Sequence, residues 1–321
     1  MRALEQTALS GPGAMRLVTD APVPAPGPGE VLIRVGAAGV NFADVMQTRG
    51  TYAGGPRPPY IAGFEAAGEV VALGPGVTGI EPGAHVIGTG PGAFAEYVVL
   101  PAAGAAPVPA GWSDEQALGL VLNRGTALAA LRLGRLAPGE TVLVQAAAGG
   151  VGQAAVRLAK HEGATVIGTA SPGKHEAVRA LGADHVIDYV DLADEVRRRT
   201  GGRGADLVLE SVGGDAFTAA LAATRRVTGR LVVYGIAAGE AAISNRDLNF
   251  THPVHVIGLH IGVLAKTAPE LFTELVAELA DLVAAGVHPP GRPTVHDLAD
   301  GPKVLAELET RSTVGKLALR P

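Results

Sequence analysis

The sequence predicts an α/β chain in which a doubly wound parallel sheet is joined to a β-rich domain. Three observations predict it. The length of 321 residues suggests two domains. Residues 1 to about 116 are rich in Gly and Pro with short alternating apolar runs, whereas 117–260 alternate strand-like and helix-like segments. A strand-like run at 141–145 and a helix-like run at 153–160 enclose Ala146-Ala147-Ala148-Gly149-Gly150-Val151-Gly152. Strand, glycine-rich turn and helix in that order form the phosphate-binding start of a Rossmann dinucleotide fold.

The elements follow in order. In the first part, runs at 31–35 and 67–73 are set off by Gly74-Pro75-Gly76 and Glu81-Pro82-Gly83, which reads as an antiparallel, partly barrel-like domain. After the glycine run come a strand at 165–169, a helix near 173–181 and strands at 185–188, 206–210, 230–234 and 255–259. Six short β-rich runs with helical patterns between most of them imply the doubly wound sheet, with 117–260 as its domain. Residues 261–321 hold an apolar-periodic helix near 269–285 and end in a strand at 315–319, read as returning to the first domain. No repeat occurs at solenoid spacing.

Composition narrows the function classes. A hydrophobic fraction of 47% with 18% charged residues is that of a globular protein rather than a disordered one. A net charge of -5 gives no general reason to bind nucleic acid or an anionic membrane. Cysteine is absent, which removes disulfides and thiolate metal sites and fits a reducing compartment. The start, Met1-Arg2-Ala3-Leu4-Glu5-Gln6-Thr7, has no apolar leader core, and no run of 18 uncharged apolar residues occurs. A cytoplasmic location is the expectation.

The glycine run specifies the ligand further. It fits G-x-G-x-x-G only with Ala147 in the first glycine position. Ala148, Gly149, Gly150, Val151 and Gly152 are the expected cofactor contacts, because small residues admit the pyrophosphate and a helix N-terminus offers unpaired N–H groups. An NAD site would place a carboxylate at the end of the second strand, on the ribose hydroxyl. Here that end reads Thr169-Ala170-Ser171-Pro172-Gly173-Lys174. Ser171 and Lys174 would instead receive a 2′-phosphate, and one charge-assisted bond of roughly 1.5–3 kcal/mol discriminates at least tenfold. NADPH is therefore the expected cofactor; the competing reading of Lys174 is a solvated residue in the first turn of a helix.

The chain resembles the medium-chain dehydrogenase/reductase superfamily, and within it the zinc-free quinone oxidoreductase branch. The resemblance rests on Gly39-Val40-Asn41-Phe42-Ala43-Asp44, on Gly63-Phe64-Glu65-Ala66-Ala67-Gly68, on the run at 146–152 and on Gly315-Lys316, in that order and spacing. It implies a GroES-like catalytic domain, 1–116 with 261–321, interrupted by a Rossmann domain at 117–260, with the active site in the cleft between them. Zinc-dependent relatives carry a cysteine at the place of Asn41, a histidine at that of Phe64, and a lobe of four cysteines absent here. An amide and a phenyl ring cannot supply zinc's nitrogen and sulfur ligands. The nine histidines include no H-x-x-x-H pair, and His252 and His255 are three apart beside Pro253, so no metal is expected.

By the same resemblance, Asn41, Tyr52 and Thr126 would face the nicotinamide and substrate. Asn41 also reads as a turn amide, Tyr52 as a surface aromatic, and Thr126 as a helix cap. Tyr189 would lie by the adenosine phosphate, Gly235 would let the cofactor pass close to the backbone, and Lys316 would stand near the cofactor cleft; Tyr189 also reads as a packing aromatic and Lys316 as a solvated charge. Met46 and Arg124 depart from the branch, which carries an aromatic and a small or apolar residue at those places; Arg124 is read as a helix-start surface residue. Without a Lewis acid, hydride transfer to an electrophile needing little activation is favoured, a quinone or an α,β-unsaturated carbonyl. The alternatives are an enoyl-thioester reductase and an NADPH-binding protein without useful turnover, crystallin-like or RNA-binding. The apolar strand at 255–259 would be a sheet edge, and bare edges are usually covered; the resemblance implies a homodimer paired there.

Overall fold

The computed structural model describes residues 1–321. It divides into two units, Met1–Leu122 with Pro289–Pro321, and Asn123–His288. The first unit begins with β1 (Ala3–Gln6), β2 (Met15–Val18), β3 (Glu30–Val40), α1 (Phe42–Arg49), β4 (Tyr60–Ile61), β5 (Glu65–Leu73), β6 (His85–Thr89), β7 (Tyr97–Pro101), β8 (Ala106–Pro107) and α2 (Asp114–Ala117). The second unit holds α3 (Gly125–Leu133), β9 (Thr141–Val144), α4 (Gly150–His161), β10 (Thr165–Thr169), α5 (His175–Ala180), β11 (His185–Ile187) and α6 (Leu192–Arg199). It continues with β12 (Leu207–Glu210), α7 (Gly214–Ala223), β13 (Arg230–Val233), β14 (His255–Gly258), α8 (Ile261–Thr267) and α9 (Pro269–Ala284). The chain then returns to the first unit with β15 (Thr294–Asp297), α10 (Gly301–Glu309) and β16 (Leu317–Arg320).

In the second unit the six strands run in the order β11-β10-β9-β12-β13-β14, and every neighbouring pair is parallel. This is the doubly wound order, with the chain leaving β9 first to one side and then, from β12, to the other. Val142 of β9 sits beside Val166 of β10 and Leu207 of β12, and all three are fully buried. Continuous apolar strands are what a sheet covered by helices on both faces requires. The packed interior is built from Leu143, Ile167, Val208 and Leu231 with Phe217 of α7.

The first unit is mostly antiparallel. A sheet in the order β15-β16-β3-β5-β6-β8, with β7 also on β3, stands beside a three-stranded sheet β2-β1-β4. The C-terminal strand does return to this unit, β16 pairing antiparallel with β3 through Leu317 opposite Val40. Its core is centred on Leu4, Ile33, Phe94 and Leu100, all fully buried.

Two boundaries differ from the sequence expectation: residues 117–122, expected in the second domain, belong to the first unit. Residues 261–288, expected in the first domain, belong to the second unit, because α9 presents Phe272, Leu275, Leu279 and Leu282 inward and packs on α3. An amphipathic helix follows the apolar face that covers it, and periodicity alone does not say where that face lies. No helix is long and apolar enough to cross a membrane.

Candidate functional site

The glycine-rich turn has the backbone its residue types permit. Val144 ends β9, Ala146 adopts a left-handed φ of 47°, and Gly149 caps α4 in extended geometry. At Gly152 a Cβ would lie 2.3 Å from the Ala146 carbonyl oxygen and 2.6 Å from the Ala147 Cα. Only glycine lets α4 close onto the strand there, the part the third glycine plays in such turns. Ala147 and Ala148 are buried in the bend. The N–H groups of Gly150, Val151 and Gly152 open a 12-residue helix and have no intrahelical acceptor. They present donors and a partial positive charge to an anion.

Tyr189 belongs to this turn. Its hydroxyl accepts a hydrogen bond from the Ala146 N–H at 3.1 Å, so it is more than a packing aromatic. At the neighbouring strand end, Ser171 is exposed and Lys174 half-buried in a short 3-10 turn, with the Lys174 N–H bonded to the Ser171 carbonyl at 2.9 Å. Burial lowers the Lys174 ammonium from the usual lysine value. No carboxylate lies between Thr169 and Lys174. Gly235 has a reason within the chain itself: a Cβ would stand 2.7 Å from the Ser211 carbonyl oxygen.

Sequence reasoning missed three polar groups at the carboxyl ends of the strands. Gln145 after β9, Thr169 ending β10 and Glu210 ending β12 are all fully buried. Gln145 Oε1, Thr169 Oγ1 and Glu210 Oε2 have no hydrogen-bond partner. Glu210 Oε1 accepts from the Val212 and Gly213 N–H groups at 2.8 and 2.6 Å, and burial raises its carboxyl above the usual range. Beside it the Tyr234 phenol is pushed up by burial. Buried acceptors left unsatisfied are costly unless a ligand or water completes them. The signal was present: each is the one polar residue closing an apolar strand. Helix N-terminus, left-handed turn, close-packed Gly152 and unsatisfied acceptors together fit a dinucleotide.

In the first unit the sequence motifs at 39–44, 63–68 and 315–316 converge. Asn41 caps α1, and its N–H donates to the Asp44 Oδ2 at 2.8 Å. The Asn41 Nδ2 donates to the Gly39 carbonyl and to Glu65 Oε2, at 3.1 and 3.0 Å. Lys316 Nζ donates to Asn41 Oδ1 at 2.6 Å and to Glu65 Oε2 at 2.5 Å, and the Gly119 N–H donates to Glu65 Oε1 at 2.7 Å. Gly39 admits this contact: a Cβ there would meet Glu65 Oε2 at 2.2 Å. Lys316 is 12% exposed, which overturns its reading as a solvated charge. Asn41 is both a turn amide bonded to nearby backbone, as its competing reading has it, and a member of this cluster. Burial pushes the Asp44 carboxyl up to about 8, against the opposing pull of the Asn41 N–H and the Lys316 charge.

The donor set does not fit zinc. Positions 41 and 64, where zinc-dependent relatives carry a cysteine and a histidine, hold an amide and a phenyl ring; of the two carboxylates at Asn41, Glu65 is engaged by an ammonium and Asp44 by the Asn41 N–H. No three His, Asp or Glu side chains converge as a metal site.

Tyr52 lines a cavity of about 440 Å³ with Gln47, Pro56, Tyr60, Phe64 and Thr89. Its ring centroid lies 6.4 Å from that of Phe64. Burial, then the Asp44 charge, raises both phenols, Tyr60 to about 12, so both are neutral donors. Thr126 is buried within α3, whose N-cap is Arg124 at the end of a π-helical turn, Leu120–Arg124; it does not cap the helix. Arg124 is half-buried rather than a surface residue. Burial, followed by the charges of Arg124, Arg157 and His161, lowers His288 to about 3.

Residues 150–281 match the zinc-binding dehydrogenase family, and residues 27–110 match the alcohol dehydrogenase GroES-like domain. Among solved structures, the chain is similar to mycobacterial Rv1454c complexed with NADPH, at 35% identity over all of both chains and a TM-score of 0.94. It is similar to Escherichia coli quinone oxidoreductase complexed with NADPH, at 32% identity over all of both chains and a TM-score of 0.90. It is also similar to the CurK enoyl reductase, at 28% identity over 99% of this chain and 98% of that one, with a TM-score of 0.89.

Proposed function

Because this chain belongs to the quinone oxidoreductase branch of the medium-chain dehydrogenase/reductase superfamily, we propose that it is an NADPH-dependent, metal-independent reductase of quinones or α,β-unsaturated carbonyls. The observation that carries the reading is the turn at 146–152 with Tyr189 bonded to Ala146, together with a second strand end bearing Ser171 and Lys174 and no carboxylate. The NADPH held by the two relatives supports it. When bound, NADPH supplies the hydride, and the acceptor takes its proton from the medium. The α4 N–H groups of Gly150, Val151 and Gly152 bind the pyrophosphate, behind the bend of Ala148 and Gly149. Ser171 and Lys174 bind the 2′-phosphate and Tyr189 steadies the turn, while Gly235 keeps the backbone beside the nicotinamide half clear. Asn41, Tyr52 and Thr126 face the reacting groups, Asn41 being held by Lys316. The aromatic walls of Tyr52, Tyr60 and Phe64 suit a flat ring.

The test is turnover. Steady NADPH oxidation with 1,4-benzoquinone and none with crotonyl-CoA selects this reading. The reverse selects an enoyl-thioester reductase, which the likeness to CurK and the ammonium of Lys316 beside Asn41 favour as second reading. Tight NADPH binding with neither activity would leave a binding protein. Dialysis against a chelator leaves activity and melting temperature unchanged; a fall in either contradicts the metal-free reading.

We further propose a homodimer through β14. It is an outer strand of the sheet, and Val256 is 39% exposed on it; an exposed apolar edge invites pairing. Light scattering that finds a monomer at micromolar concentration would remove this proposal.

A further inference from the structure

The second unit carries a second cavity, at the opposite end of its sheet from the dinucleotide turn. Its lining comes from segments 202–204, 224–226 and 251–254, which lead into the amino ends of β12, β13 and β14. The turn at 146–152 follows the carboxyl end of β9. In a parallel sheet a four-residue strand separates the two ends by about 13 Å.

The cavity encloses about 290 Å³, and five of its lining residues are Arg197, Arg203, Arg225, Arg226 and His252, with no carboxylate among the others. Two of the guanidiniums are balanced. Arg225 Nη1 pairs with Asp206 at 2.8 Å, and Arg197 Nη1 pairs with Asp194 at 3.1 Å while its Nη2 donates to the Ala222 carbonyl. The other two are not. Arg226 donates only to the carbonyls of Thr251 and Phe250, at 2.5 and 3.3 Å, which leaves its charge whole. Arg203 is exposed; its backbone N–H donates to the Thr200 carbonyl at 3.3 Å, while its guanidinium makes no ion pair. Four arginines around one small concavity, in a chain of net charge -5, raise the local potential where the whole molecule would not.

We propose that this cavity binds a small anion carrying two or more phosphate groups, the chemistry of pyrophosphate or of a doubly phosphorylated metabolite. The guanidinium fork matches phosphate oxygens in pairs, and two uncompensated charges on separate loops suit a multivalent anion better than a single carboxylate. The small volume suits a compact ligand better than a nucleic acid strand, which needs an extended groove.

The experiment titrates sodium pyrophosphate calorimetrically into the protein saturated with NADPH, at constant ionic strength set by sodium chloride. Saturation is verified in the same sample, so that a failure of the cofactor reading shows as missing NADPH binding and is separate from the pyrophosphate result. One site per chain is expected, weakened about tenfold by Arg203→Ala and again by Arg226→Gln, each the loss of one charge-assisted contact. NADPH oxidation is unchanged in Arg203→Ala. Inorganic phosphate and a sugar bisphosphate, as further arms, separate simple phosphate from a phosphorylated metabolite. No heat with wild type, equal affinity in the variants, or displacement by chloride alone overturns the proposal. So does single-stranded RNA binding more tightly than pyrophosphate and being lost in Arg203→Ala, since the face would then serve nucleic acid.

Discussion

Lys316 and Glu65, 251 residues apart, form a buried ion pair that also holds the Asn41 amide. The carboxylate is fully buried and receives the Gly119 N–H on its other oxygen. Removing one member leaves an uncompensated buried charge, which costs about 3–5 kcal/mol. Lys316→Met should lower unfolding stability by about that amount, and the double variant Lys316→Met/Glu65→Gln should recover part of it. Urea denaturation of both measures the coupling; additive losses would mean the pair is not a unit.

Lys174→Ala tests the cofactor preference. The KM for NADPH should rise about tenfold while that for NADH stays nearly constant, because only NADPH carries the 2′-phosphate. Equal loss with both cofactors would assign Lys174 a structural part.

Gly152→Ala tests the turn. The added Cβ would overlap the Ala146 carbonyl at 2.3 Å, in a place enclosed by backbone. Overpacking of about 1–3 kcal/mol is expected, and displacement of α4 from the turn should weaken NADPH binding at least about tenfold, the outcome of losing one good phosphate contact. Fluorescence titration with NADPH reads this directly, and unchanged binding would show that the turn tolerates a methyl group.

Asp44 sets one limb of the pH dependence. Its folded value of about 8 lies above the unfolded 3.8, so the folded chain holds a proton that the unfolded chain releases. Stability should therefore fall as pH rises from 3.8 to 8, by at most about 1.4 kcal/mol per pH unit. Asp44→Asn, which keeps an acceptor for the Asn41 N–H, should flatten that slope and raise the melting temperature at pH 7. A parent-like slope in the variant would show that Asp44 is ionised.

His288 acts at the acid side with the opposite sense. It is 2% exposed and titrates at about 3 when folded, against 6.5 unfolded. The unfolded chain binds the proton first, so stability is lost as pH falls from 6.5 to 3. His288→Gln should reduce the slope of unfolding free energy in that window by about 1.4 kcal/mol per pH unit, one proton's worth. An unchanged slope would place the acid sensitivity elsewhere.

Strand positions in the second unit were legible because parallel strands buried on both faces are written as unbroken apolar runs. Runs at 165–169, 230–234 and 255–259 appear as β10, β13 and β14 within a residue. The helix at 269–285 was legible too, but not its owner, since the Leu275 and Leu279 stripe declares an apolar face without naming what covers it. The same limit hid Glu210, Gln145 and Thr169, whose interest lies in what their oxygens lack.

The sequence by itself determined the glycine turn at 146–152, the missing carboxylate before Lys174 and the amide and phenyl side chains of Asn41 and Phe64, because each is a matter of residue type at a fixed local spacing. Only the tertiary structure decided that Lys316 is ion-paired to Glu65, that Tyr189 bonds the Ala146 N–H and that Arg203 and Arg226 share one cavity. Those relationships join residues from 23 to 251 positions apart. Chain-local patterns carry no information about such pairs until folding brings them within hydrogen-bond reach.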